Sequence, residues 1–446
     1  MRGVANVDLT PELVVALGRA AARVLGPGPF VLGRDPRASG PMLEAALIAG
    51  LCAEGISVGT IGVVPTPAVA WACAQHDVAG AMISASHNPF GDNGIKLFAS
   101  GGRKLSDEQQ QHLEDELDRV VGGGGGAAPP TGEGVGTVEA TPEDLLGWAD
   151  SVVASIEGRS LAGLRLVVDC ANGAASTIAP HVLTALGAEL VVLHAEPDGT
   201  NINAECGSTY PADLQRVVVA EGADAGIAFD GDADRVLAVD ATGELVDGDQ
   251  IIAICALDLH ARGRLRDDTV VVTVMSNLGF RLAMAAAGVE VVETNVGDRA
   301  VLEALAAGGY TIGGEQSGHV IFPDLSTTGD GLLTAVQLLD VVVRTGTPLA
   351  TLAGAVTRLP QVLRNVAVRA VGVDLAAMIG PELARVEAEL GDHGRVLIRP
   401  SGTEPVVRVM VEATTHAQAE AIANSLVAAV GDAMTAPPGS GRPARA

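Results

Sequence analysis

Aromatic side chains are scarce: six Phe, two Tyr and two Trp make up 2% of the 446 residues. A sugar site in such a chain cannot lean on ring stacking and must use hydrogen bonds and charge. Lysine is scarcer still, for only Lys96 and Lys104 appear among 28 cationic residues. Arginine is therefore the default cation, and a lysine inside a motif is informative. Five cysteines (Cys52, Cys73, Cys170, Cys206 and Cys255) occur without CxxC spacing. That odd, unpatterned set reads as a reducing cytoplasm and argues against both disulfides and zinc. No apolar run is long enough to cross a bilayer, and the N-terminal "MRGVANVDLT" lacks the apolar core of an export signal. Positive charge is in deficit. A formal net charge of −26 repels nucleic acid and anionic membranes. An anionic ligand would need the few cations gathered at its site.

What is present is enough apolar material for several cores. Hydrophobic residues are 48% and charged residues 18%, and the length calls for two to four domains. Thr10-Pro11-Glu12 predicts a helix start: a capping hydroxyl, proline at the first helical position and an acid near the positive helix end. Apolar spacing runs on to Leu25, where Gly26-Pro27 stops it. Then a weak repeat appears. "FVLGRDPRASG" from Phe30, "LRLVVDCANGA" from Leu164 and "TVVVTVMSNLG" from Thr269 each read as a buried strand, a polar turn and a helix. Each is followed by a glycine, a second strand, a further apolar stretch and a polar loop: "SASHNP", "DGDADR" and "GEQSGH". Strand–helix–strand units imply parallel sheets covered by helices, with ligands beyond the C-terminal strand ends.

The expected fold class is α/β: three similar mixed α/β domains at 1–150, 151–246 and 247–360, then a smaller α+β domain at 361–435. The last shows strand patterns in "LRNVAVRAV", "GRVLIRPSG" and "VVRVMVEAT" before the amphipathic "HAQAEAIANSLVAAVGDAM". "VGGGGGAAPPTGEG" from Val121 reads as a Gly/Pro surface excursion, and the tail 436–446 as disordered.

In "FDGDADR", Asp230, Asp232 and Asp234 alternate, so an extended loop can converge three carboxylates. Their mutual repulsion calls for a hard divalent cation. An EF-hand would need glycine and glutamate where Arg235 and Ala241 stand. Three carboxylates with open positions suit Mg²⁺ awaiting a phosphate oxygen, with Arg235 able to meet the same phosphate; a solvated acidic turn is the alternative. In "IRPSGTEPVVRV", Ser401, Gly402 and Thr403 offer amides and hydroxyls in a turn flanked by Arg399 and Arg408. This suits a phosphate monoester and is not a Walker loop. Glu315 and Ser317 in "GGEQSGH" can bind neighbouring sugar hydroxyls, though a plain turn fits as well, and His319 reads more readily as a packed histidine. In "MISASHNPFGDNGIKLF", Ser86 precedes a His-Asn-Pro turn, and a serine near a divalent cation can carry a phosphoryl group. His87 and Lys96 can stabilise negative charge or move a proton. A hydrolase triad is disfavoured because no GxSxG elbow surrounds this serine.

Taken together and in order, these four loops resemble the α-D-phosphohexomutase superfamily over nearly the whole chain. "GVANVDLTPEL", "NINAECGSTYP", "NVGDRAVLEAL", "GEQSGHVIF", "STTGDGLLTA" and "RPSGTEPVVRVMVE" point to its aminosugar branch. The resemblance implies four domains around a central cleft, the first three built alike. It implies Ser86 as the phosphoserine and Asp230, Asp232 and Asp234 as Mg²⁺ ligands together with the Ser86 phosphate. Glu315 and Ser317 would contact the sugar. Arg399, Ser401, Gly402, Thr403 and Arg408 would grip the substrate phosphate, and Arg2, His87, Lys96 and Arg235 would surround the transferred group. The implied reaction turns glucosamine 6-phosphate into glucosamine 1-phosphate through a bisphosphate, with glucosamine or glucose 1,6-bisphosphate as activator. A cytoplasmic homodimer is implied at the family level.

Three rivals share these motifs. A phosphomannomutase or phosphoglucomutase would use the same machinery, a phosphosugar-binding protein could keep the fold without turnover, and a phosphatase would release phosphate without isomerisation. The second arises because the chain starts at "MRGVAN", inside the family's "GTDGIRGVAN". This predicts loss of the first strand, Arg2 at a frayed end, and a start assigned too far downstream.

Overall fold

The computed structural model describes residues 1–124, 128–367, 375–400 and 406–435; the tail expected to be disordered lies outside them. The expected repeat becomes a repeated sheet. The first runs Phe30–Arg34, helix Gly40–Ala53, Val58–Val63, helix Thr66–His76 and Ala79–Ile83, then returns along Asp92–Ala99. The second uses Arg165–Asp169, Glu189–Leu193, Ala225–Phe229 and Val236–Asp240 in the same roles; the third uses Thr269–Thr273, Glu290–Thr294, Gly313–Gly314 and Val320–Ile321. In each sheet the first strand lies between the second and third, all three parallel, and the fourth pairs antiparallel with the third. Strands such as Ala79–Ile83 and Thr269–Thr273 are buried at every position, as expected where helices cover both faces.

The first helix occupies Pro11–Leu25, capped by Thr10 Oγ1 accepting from Leu13 N at 3.3 Å and ended by Gly26 at φ 98°. It packs on helix Gly40–Ala53 at very close range. A Cβ on Gly18 would sit 2.5 Å from Leu47 O, and one on Gly50 would sit 2.2 Å from Val15 O. Leu43, Leu47, Leu51, Val14 and Leu17 fill the core around that contact.

The N-terminal expectation needs correction. Arg2–Val4 form a strand antiparallel to Asp92–Ala99, with Arg2 opposite Gly94. The Met1 amine donates to Ile95 O at 3.1 Å, Ile95 N donates to Met1 O at 3.0 Å, and Val4 N donates to Asp8 Oδ2 at 2.9 Å. These bonds tie Arg2 into the sheet edge, so it is not frayed and an N-terminal strand is present.

The chain divides into two compact units. The three α/β sheets belong to residues 1–275 with 284–355; residues 276–283 and those from 356 on form the other. In the second unit, Val406–Glu412 is the central strand, with Gln361–Ala367 and Arg395–Pro400 antiparallel on either side. Helices Leu375–Leu390 and His416–Thr435 cover it, and Val386, Val409, Val411, Ile422 and Leu426 make its core.

Candidate active site

The three chemically loaded loops occupy one topological position. Each joins the third parallel strand of its sheet to the returning antiparallel strand: residues 84–91, 230–235 and 315–319. Side chains at the C-terminal ends of parallel strands are free to face a ligand.

The acidic loop gathers its carboxylates as its alternation suggests. Asp230, Asp232 and Asp234 are buried, and their oxygens lie within 4.8 Å of one another. Ala233 takes a left-handed φ of 54°, which curls the loop back so that all three point to one side. Asp232 Oδ1 and Asp234 Oδ1 are buried and accept no hydrogen bond. Anionic oxygen left without a hydrogen bond at this depth is costly, and an all-oxygen donor set fits a hard divalent cation such as Mg²⁺.

Part of the negative charge is met by protein groups. Lys96 Nζ, carried on the returning strand of the first sheet, lies 2.6 Å from Asp232 Oδ2 and 3.1 Å from Asp234 Oδ2. Thr66 Oγ1 donates to Asp232 Oδ2 at 2.5 Å. Burial, with the Asp234 and Asp232 charges beside it, holds Asp230 well above the usual carboxylate range. Burial pushes Asp234 the same way, but Lys96, His319 and Arg235 outweigh it and hold it well below.

Ser86 faces this cluster. Its Oγ donates to Asp230 Oδ2 at 2.6 Å and stands 3.3 Å from His87 Nδ1. Its φ of 54° is left-handed, a strained conformation for serine that surrounding bonds must hold. Ser84 Oγ accepts from Ser86 N at 2.9 Å and donates to Asp35 Oδ2 at 2.6 Å. Fully buried Arg37 pairs with Asp35 at 2.8 Å and donates to the carbonyls of Ser86, Asn88 and Asp92 at 2.9–3.0 Å, and to that of Pro89. Asn203 Nδ2, from the second sheet's loops, donates to the Ser86 and Asn88 carbonyls at 2.9 and 3.1 Å. His87 is held below its ordinary value by burial, then by Arg235 and Arg2.

A cavity of about 770 Å³ opens in front of the serine, lined among others by Arg2, Ser86, Lys96, Arg235, Glu315 and His319. Glu315 Oε1 accepts from Gly297 N at 3.2 Å; Ser317 is exposed beside it. His319 is a packed ring, as its sequence context suggests, and it also lines the cavity. It is buried 3.7 Å from Asp234 Oδ1 and 3.8 Å from Asp298 Oδ2, and Lys104 also meets Asp298. In the second unit, Arg399 and Arg408 are directly opposed across the antiparallel ladder. Burial and the Arg408 charge lower Arg399. Like charges so paired are unfavourable unless an anion joins them. Ser401, Gly402 and Thr403, predicted to complete that phosphate loop, lie outside the described residues.

Asp35, Arg37, Thr66 and Asn203 escaped the sequence reading. "GRDPR" and "NINAE" were visible, but nothing in their spacing tied them to Ser86.

Comparison with family models gives four matches: phosphoglucomutase/phosphomannomutase, alpha/beta/alpha domain I over residues 1–121, domain II over 147–243, domain III over 247–359 and the C-terminal domain over 352–429. The chain belongs to the phosphoglucomutase/phosphomannomutase family. It is 56% identical to a phosphoglucosamine mutase of Frankia alni, covering 98% of each chain, and 54% identical to one of Symbiobacterium thermophilum, covering 96% of each. A phosphoglucomutase/phosphomannomutase family protein of Burkholderia thailandensis has a similar structure, with a TM-score of 0.79 at 27% identity over 98% of this chain and 96% of that one. An Aspergillus fumigatus N-acetylphosphoglucosamine mutase, solved with GlcNAc-6P and magnesium, shares the fold at a TM-score of 0.68 and 21% identity, over 97% and 95% of the chains.

Proposed function

We propose that this chain interconverts glucosamine 6-phosphate and glucosamine 1-phosphate by relaying a phosphoryl group through Ser86. The observation that carries this reading is Ser86 Oγ in the wall of a cavity, 2.6 Å from Asp230 and with Arg235 and Lys96 lining the same space. Relatives above 50% identity over nearly their full length carry the phosphoglucosamine mutase name.

Asp230, Asp232 and Asp234 would hold Mg²⁺, which supplies charge neutralisation and polarises a phosphate oxygen. Arg2 and Arg235 face the transferred group and offset its charge. In the forward half-reaction the sugar's free hydroxyl oxygen bonds to phosphorus and the Ser86 Oγ–P bond breaks. The hydroxyl proton passes to His87, Lys96 stays an ammonium that offsets the phosphoryl charge, and Ser86 Oγ ends with a proton. The product is a bisphosphate, which turns over in the site so that its other phosphoryl group returns to Ser86. Glu315 and Ser317 bind sugar hydroxyls in both orientations. Arg399 and Arg408, with Ser401, Gly402 and Thr403, grip the phosphate that is not moving. Orientation and charge neutralisation supply most of the rate, and a site that excludes water protects the phosphoserine.

A sugar 1,6-bisphosphate, of glucosamine or glucose, restores the phosphoserine when it is lost. No helix among the described residues is long and apolar enough to cross a membrane; a cytoplasmic homodimer belongs to the same reading. The test is a mutase assay with Mg²⁺ and bisphosphate, comparing glucosamine, glucose and mannose phosphates. Preference for glucosamine phosphate, abolished in Ser86→Ala, is the expected result. Preference for glucose or mannose phosphate would reassign the substrate and keep the mechanism.

A further inference from the structure

We infer that Asp169, His194 and Cys206 form a second cation site, one for a thiophilic divalent ion of the zinc class rather than for Mg²⁺. Their donor atoms lie within 4.8 Å of one another. Asp169 ends the strand Arg165–Asp169, and His194 directly follows the neighbouring parallel strand Glu189–Leu193. Cys206 comes from the loop whose Gly207 N donates to Asp169 Oδ2. The site is thus at the C-terminal edge of the second sheet, where α/β folds place ligands. Spacing along the chain speaks against zinc because these donors share no short motif; only the fold gathers them.

Several details suit a metal better than a packed cluster. His194 Nδ1 is 3.1 Å from Asp169 Oδ2, about the separation of two ligands on one tetrahedral ion. Yet Nδ1 is buried and makes no hydrogen bond, so the N–H direction and the carboxylate are not aligned. The other ring nitrogen, Nε2, lies 3.6 Å from Asp213 Oδ2. A carboxylate behind the far nitrogen is the usual support of a metal-bound imidazole. Asp169 is fixed in the same manner, its two oxygens accepting from Ala171 N and Gly207 N at 2.9 Å each. His194 also holds a left-handed φ of 48°, a conformation with a cost.

A nucleophilic Cys–His–Asp arrangement does not fit. Cys206 is fully buried, so its sulfur cannot reach a substrate as a nucleophile must. Binding would release the thiol proton to solvent and leave a Cys206 thiolate, a neutral imidazole and a carboxylate around the ion. Sulfur and nitrogen donors select a softer ion than the all-oxygen aspartate triad does. The loop that bears Cys206 also bears Asn203, whose amide holds the Ser86 and Asn88 carbonyls. An ion here would therefore pin the support of the serine loop.

The full chain, stripped with chelator and returned to saturating Mg²⁺ so that the triad is filled, is titrated with Co²⁺. One equivalent should bind with a near-ultraviolet thiolate-to-cobalt band, and Zn²⁺ should displace it while raising the melting temperature. Cys206→Ser should abolish the band. His194→Gln should do the same, and keeps the test valid if the buried serine variant misfolds. Asp213→Asn should weaken Co²⁺ binding by about tenfold or more. Absence of the band, or a band that survives both Cys206→Ser and His194→Gln, would overturn the site.

Discussion

Lys96 Nζ lies 2.6 Å from Asp232 Oδ2, so one of the chain's two lysines is set against the carboxylates that face Ser86. It also reaches Asp234 at 3.1 Å, and both carboxylates hold its ammonium raised despite the opposing effect of burial. An ammonium fixed there can stabilise the phosphoryl oxygens. Lys96→Met should lower kcat by about 10²–10³-fold with the circular dichroism spectrum unchanged. A loss under tenfold would remove Lys96 from the chemistry.

Arg37 reaches no substrate, yet it ties four carbonyls of the Ser86 loop to the buried Asp35. Arg37→Ala strands that carboxylate and frees the loop. The expected cost is about 3–5 kcal/mol of unfolding free energy in urea. Phosphate incorporation at Ser86 should fall as well. Full stability in the variant would contradict the buried-pair account.

Asp330 makes a pH-dependent contribution. It caps helix Gly331–Thr345 by accepting from Leu333 N at 2.9 Å, and it accepts from Trp148 Nε1 at 3.0 Å. Burial pushes it up to about 6 although both bonds oppose the shift. A raised acid gives stability that is fully present below its unfolded value and is lost as pH rises through the folded one. Between pH 5 and 7.5 the loss should be about 1.4 kcal/mol. Asp330→Asn retains a capping oxygen but cannot ionise, so its stability relative to the wild type should improve by that amount over the interval. A difference independent of pH would count against the raised value.

Gly18 and Gly50 bring two helices of the first domain together. Gly18→Ala forces a Cβ against Leu47 O and should cost about 1–3 kcal/mol, read as a lower urea midpoint. An unchanged midpoint would show that the helices can part without penalty.

Much of this was legible before the fold. The helix over Pro11–Leu25 carries its cap and its stop in adjacent residues, and the three strand–helix–strand units repeat buried strands at like spacing. The triad was legible because Asp230, Asp232 and Asp234 sit in one loop. Arg37 was not, because it acts on backbone carbonyls 49 to 55 residues away, which leave no residue-type signature. His319 was legible as a packed ring, but its neighbours Asp234 and Asp298 were not, because only the fold brings them to it. Arg2 looked frayed because pairing with Asp92–Ala99 depends on strand register rather than on local pattern.

The central claim is that Ser86 carries the phosphoryl group in transit. The most direct measurement is to mix the enzyme, Mg²⁺ and a sugar 1,6-bisphosphate labelled with ³²P, quench within a turnover, and map the labelled peptide. Label on the peptide containing Ser86, chased out by unlabelled glucosamine 6-phosphate and absent in Ser86→Ala, is the predicted result. Label elsewhere, or turnover with no protein-bound phosphate, would contradict the account.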